Sequence, residues 1–86
     1  MASIEEVKAG IMAATNEISN AGGASQQVHS TYQQAQAMLM RVTDGTTQAD
    51  VSEATGLLSR AMDAIVESQQ AAAAAIQAAE GVAARL

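Results

Sequence analysis

The sequence contains no cysteine, proline, tryptophan or phenylalanine, and Tyr32 is its only aromatic residue. Without Cys there is no disulfide and no thiolate metal site to stabilise so short a chain, and the redox compartment is left undetermined. Without Pro, nothing in the chain removes a backbone donor from a long helix. Basic residues are scarce as well: Lys8, Arg41, Arg60 and Arg85 stand far apart in a chain of net charge −5. Phosphate neutralisation requires clustered Lys and Arg, so the composition argues against nucleic acid as a partner. No uncharged apolar run approaches the roughly 20 residues that span a bilayer. A membrane-surface helix would need a basic polar face, which is also missing. Residues Met1 to Glu6 carry neither a basic stretch nor an apolar run, so no secretory signal peptide is expected. The expected compartment is the cytoplasm, with any export by a route that needs no cleavable signal.

What the chain does have is helical periodicity. Its 86 residues make one domain, and 21 of them are Ala, which favours helix while contributing little buried area. The sequence is organised around a connector, Val42 to Val51, containing the turn dipeptide Asp44-Gly45, where Gly accepts positive φ and Asp can bond its own backbone. In the first arm Ile4, Val7, Ile11, Ala14, Ile18, Ala21, Ser25, Val28, Tyr32, Ala35, Leu39 and Val42 recur at steps of three and four. In the second, Val51, Ala54, Leu58, Ala61, Ile65, Ser68, Ala72, Ala75, Ala79, Val82 and Leu86 do the same. Taking Ile4 and Val51 as position a of a heptad, these are a/d seams. Apolar positions whose numbers add to about 93 should meet if the arms pack antiparallel: Ala35 with Leu58, Val28 with Ile65, Ile11 with Val82. Tyr32 opposes Ala61, large against small. The expected fold is all-α, an antiparallel two-helix hairpin with coiled-coil-like arms.

Helix boundaries follow from capping chemistry. Ser3 to Glu6 has the capping-box spacing, which starts the first helix at about residue 3, and Arg41 complements its C-terminal dipole. That helix is expected over about 3–42, the turn over 43–50, and the second helix over about 51–84, with Asp50 as N-cap and Glu53 three residues on. Gly22-Gly23 costs about 1 kcal/mol per Gly inside a helix. Two outcomes stay open there: a continuous or kinked helix, or a break with Ser25 capping a third helix. The pair lies opposite Gln70 and the run of Ala71 to Ala75, so small residues on both arms would let the backbones approach.

Little in the chain points to chemistry. His29 sits alone at an e position beside the seam, with no Cys, second His or carboxylate at ligand spacing. Ser, Thr and Gln show no nucleophile-base arrangement, and two packed helices offer no enclosed pocket, so the chain is expected to be non-catalytic. The connector alternates oxygen-bearing side chains as a calcium loop does, but Ala49 falls where the sharp turn wants Gly and Thr55 where a bidentate Glu is needed. No metal or cofactor is expected.

The anomaly lies outside the seam. Met12, Met38, Met40, Leu57, Met62, Val66 and Ile76 are extra apolar positions, and Met38, Leu57, Met62 and Ile76 occupy e and g positions. A solitary hairpin places charges there, whereas a bundle of four or more helices places apolar residues. These four residues are the expected outer interface, through which the hairpin would pair with a copy of itself or a similar helical protein to form a four-helix bundle. The alternative is a structural, self-assembling helical protein, growing into arrays through faces rich in Ala and Gln.

A small, acidic, Cys-free helical hairpin of this size resembles the ESAT-6-like, or WXG100, superfamily. The bend keeps a glycine, Gly45 in Asp44-Gly45-Thr46, without the Trp of the family's Trp-Xaa-Gly. The family's Tyr followed four positions later by an acid has no counterpart, since Tyr32 is followed by Gln36. The Ala-rich composition also resembles small helical proteins of high-GC actinobacteria. The resemblance implies binding as the activity, possession of a hairpin partner, and a connection with type VII secretion or a toxin system.

Overall fold

Two helices account for the computed structural model, which describes residues 2–41 and 48–86. Helix α1 spans Ile4–Arg41 and α2 spans Gln48–Ala84. They pack against each other along their length. The Ser3 hydroxyl accepts a hydrogen bond from the Glu6 amide at 3.1 Å, and the Ser3 carbonyl takes the Val7 amide at 3.0 Å. The first helix therefore begins where its capping residue indicates. It runs through Gly22-Gly23 without interruption, so the break with Ser25 capping a further helix does not occur. The turn residues 43–47 and Val42 lie outside the described residues.

The second helix begins at Gln48, earlier than expected, which places Asp50 inside the first turn. Gln48 and Ala49 are good helix formers, and a carboxylate in the first turn is stabilised by the helix dipole. Propensity thus extends the helix past the residue that could have stopped it.

The hairpin is long and thin, 66 Å by 17 Å by 15 Å, with a radius of gyration of 19.5 Å. A compact chain of this length has a radius of gyration near 12 Å. Among the described residues no hydrophobic one is buried, and only Thr15, at 9 % exposure, is buried at all. Two helices have a line of contact and no interior.

That line differs from the expected one. On α1 the half-buried or buried positions are Ile11, Thr15, Ile18, Gly22, Ser25, His29, Tyr32, Gln36 and Leu39, with Ala35 beside them. On α2 they include Val51, Thr55, Leu58, Met62, Ile65, Gln69, Ala72, Ile76 and Ala79. The a positions from Ile11 to Leu39 and from Val51 to Ala79 are kept, and only the outermost, Ile4 and Leu86, are exposed. Ala14, Ala21, Val28, Ser68, Ala75 and Val82, expected at d, are exposed, and the adjacent e residues have taken their place. Away from the connector each helix has turned about its own axis by about 50°, half the 100° step between residues, whereas toward the connector Ala35, Ala54 and Ala61 at d stay half-buried beside the e residues. The physical reason lies on α2. Met62 and Ile76 occupy e while Ala61 and Ala75 occupy d, and covering a Met or Ile removes far more apolar area from water than covering an Ala.

Candidate assembly face

The rotation brings polar side chains into the seam, and most are satisfied there. Gln36 donates through Nε2 to the Thr55 carbonyl at 2.9 Å and to the Ser59 hydroxyl at 3.1 Å. Gln69 makes the matching reach the other way, to the Gly22 carbonyl at 3.4 Å and to Gln26 Oε1 at 3.3 Å. These partners add to 91 and 95, bracketing the mirror sum expected from the sequence, so the antiparallel register stands although the helices have turned. Thr15 and Thr55 return their hydroxyls to the preceding turn, to the Met12 carbonyl at 2.9 Å and the Val51 carbonyl at 3.0 Å. The exception is His29, whose buried Nδ1 has no hydrogen-bond partner.

The glutamine bridges have a definite task. Ala72 and Ala79 are one heptad apart on α2, so an apolar seam built of such repeats tolerates slippage, whereas polar cross-links select one alignment. Gln36→Ala is expected to cost about 1 kcal/mol, and Gln69→Ala, whose bonds are longer, about half that. Thermal unfolding of the two variants measures the difference. Equal losses would mean that the shorter contacts of Gln36 carry no extra weight.

The four residues expected at the outer interface separate into two pairs. Met62 and Ile76 are half-buried on the line between the helices. Met38 and Leu57 stay 60 % and 54 % exposed. They line one open groove with Ala35, Leu39, Ala54 and Leu58, six residues without a polar side-chain atom. All six occupy a, d or g positions, so the groove identifies the d and g positions of both helices as a single side of the hairpin.

Turning both seams toward e leaves much of this side uncovered, although Ala35, Ala54 and Ala61 stay half-buried toward the connector. Val7, Ala14, Ala21, Ala24, Val28, Ala64, Ala71, Ala75, Ala78 and Val82 all lie on it, and all are exposed. Its charges among the described residues are Glu17, Asp50 and Arg85; the other charged residues fall at b, c, e and f. The opposite, e/b side carries Ser19, Gln26, Gln33, Ser52 and Ser59 between its apolar groups. A second groove opens there near the chain ends, lined by Lys8, Ile11, Met12, Thr15, Glu80, Ala83 and Ala84. The hairpin is therefore two-sided, apolar on one flank and mixed on the other. The heptad alone could not assign the flanks, because it leaves open which neighbour of the a row turns inward.

Among the described residues no three His, Cys, Asp or Glu side chains come together as a metal site. No described helix is long and apolar enough to cross a membrane. These features define an all-α helical hairpin with one bare apolar flank. Comparison of the chain with known protein families, curated proteins and solved structures finds no match.

Proposed function

We propose that this chain is a non-catalytic helical interaction protein whose d/g flank pairs with another hairpin, its own copy or a similar one, to close a four-helix bundle. The observation that carries this reading is the uncovered apolar surface. A compact monomer of 8.7 kDa exposes about 4,700 Å². The hairpin exposes 6331 Å², with no buried hydrophobic residue among the described residues. About 1,600 Å² is thus exposed beyond what a compact monomer of this mass leaves in water. An isolated helix pair of this kind is marginal in water, and burial against further helices supplies the missing stabilisation. The resemblance to ESAT-6-like proteins suggests the setting, a partner in a type VII secretion or toxin system.

Light scattering over a wide concentration range, with circular dichroism on the same samples, tests the reading. A fixed dimeric mass with high helicity is the expected result, and a stable helical monomer would overturn it. The second groove, around Ile11 and Met12, favours one other reading, an open array joined through both sides. Open assemblies grow with concentration and closed ones stop, so the same titration separates the two.

A further inference from the structure

We propose that Met38 is a redox-modification site, at which a peroxide converts the thioether to its sulfoxide and thereby prevents the d/g flank from pairing. This rests on the pairing reading above and adds how that pairing is regulated.

The chain has no cysteine, so thioethers are its only sulfur and no thiol competes for an oxidant. Met12, Met38 and Met40 are all more than half exposed, whereas Met62 is half-buried between the helices. Exposure makes the first three reachable, and their surroundings decide what an added oxygen does. Met12 borders a groove that already holds the charged groups of Lys8 and Glu80 and the hydroxyl of Thr15. Met40 lies at b, on the mixed side. Met38 lies among Ala35, Leu39, Ala54, Leu57 and Leu58, none of which has a polar side-chain atom.

Hydrogen peroxide suffices as oxidant. A sulfur lone pair attacks one peroxide oxygen, and the O–O bond breaks as the S–O bond forms. The departing hydroxide takes the proton of the transferred oxygen and leaves as water, so the sulfur is oxidised by two electrons and the peroxide reduced. In the reverse step two thiols of a sulfoxide reductase become a disulfide and the oxygen leaves as water. The sulfoxide puts a strong acceptor where an apolar tip had been. On the lone hairpin water bonds it, and the fold is unchanged. Once the flank is covered, the groove offers it no side-chain donor, and the burial of Met38 is lost. Forfeiting the burial of one Met weakens association by roughly tenfold to a hundredfold.

Hydrogen peroxide treatment of the full chain and of Met38→Leu tests this, with the oxygen located by peptide mass mapping, mass followed by light scattering and helicity by circular dichroism. Leu is close to Met in size and has no sulfur to oxidise. In the wild type, treatment is expected to raise the dissociation constant by roughly tenfold or more at unchanged helicity, and a methionine sulfoxide reductase with dithiothreitol restores the untreated value. In Met38→Leu, whatever its own untreated constant, treatment is expected to change nothing although Met12 takes up oxygen. Wild type that pairs undiminished with oxygen on Met38 overturns the proposal and leaves the pairing intact. So does Met38→Leu weakened as much as wild type, or a Met38 that stays unoxidised at dilutions where the chain is monomeric and Met12 reacts. Loss of helicity along with mass, with oxygen on Met62, makes the seam the sensitive point and overturns it as well. An untreated chain that stays monomeric at every concentration overturns both the pairing and the switch built on it.

Discussion

Replacing Met38 and Leu57 together by Glu is expected to leave a helical monomer. Both side chains are more than half exposed on the hairpin, so the substitution removes little from the contact between α1 and α2. In the assembly each would be covered, and fully burying a Met or Leu is worth about 1.5–3 kcal/mol. Losing both therefore costs about 3–6 kcal/mol of association, before the cost of desolvating two carboxylates. That is at least a hundredfold in the dimer dissociation constant. Met62→Glu serves as the contrasting variant, because Met62 is half-buried on the line between the helices. It should reduce helicity along with mass. Sedimentation or light scattering paired with circular dichroism reads both quantities. If the Met38/Leu57 variant unfolds as it dissociates, hairpin and assembly are a single folding unit and the distinction between seam and flank fails.

The triple substitution Gly22→Ala, Gly23→Ala and Gly56→Ala is expected to stabilise the protein by about 2–3 kcal/mol, since each Gly in a helix interior costs close to 1 kcal/mol relative to Ala. Close approach of the backbones would have reversed the sign. It is not present: a Cβ built at any of the three meets nothing within 4 Å. The small residues opposite Gly22-Gly23 therefore do not mark a tight crossing, contrary to what the sequence suggests. Gly81 is left alone because a Cβ there would stand 3.4 Å from the Arg85 guanidinium, and Gly10 because it lies on the flank assigned to pairing. For a chain of this size each kcal/mol moves the melting temperature by about 4–8 °C, so a rise of 10 °C or more is the expected reading. An unchanged or lowered value would show that these glycines accommodate a neighbour that the lone hairpin does not contain.

His29 stands apart from both experiments. Its buried, unpartnered Nδ1 is, among the described residues, the polar side-chain atom left in the seam without a hydrogen bond, a cost of about 1–3 kcal/mol. The sequence places His29 beside the seam at e, and only the turning of the helix moves it between the two helices.

The expected interface shows where pattern reading stops. Met38, Leu57, Met62 and Ile76 share one property in the sequence, apolar character at an e or g position. The heptad treats e and g as equivalent flanks of the a/d row, so it groups all four. In the structure the two g residues line the open groove and the two e residues are half-buried. Among the expected seam residues, Ile11, Ile18, Tyr32, Leu39, Leu58 and Ile65 are half-buried, whereas Val28 and Val82 are 43 % and 42 % exposed. The difference is again the row: the first six include every a position of that group, and the two exceptions are at d.

The sequence by itself determined the two helices, the capped start of the first and the antiparallel register. Each depends on local propensity, a single capping hydroxyl, or the mirror pattern set by the connector, which the glutamine bridges then hold against slippage. Only the tertiary structure decided the rotation of each helix about its axis, and with it which flank is bare. That choice compares whole rows of side chains across the pair: Met62, Ile76 and the two glutamine bridges on one side, a d row of mostly Ala with Val7, Val28 and Val82 on the other. Such a comparison has no expression in the periodicity of either helix taken alone.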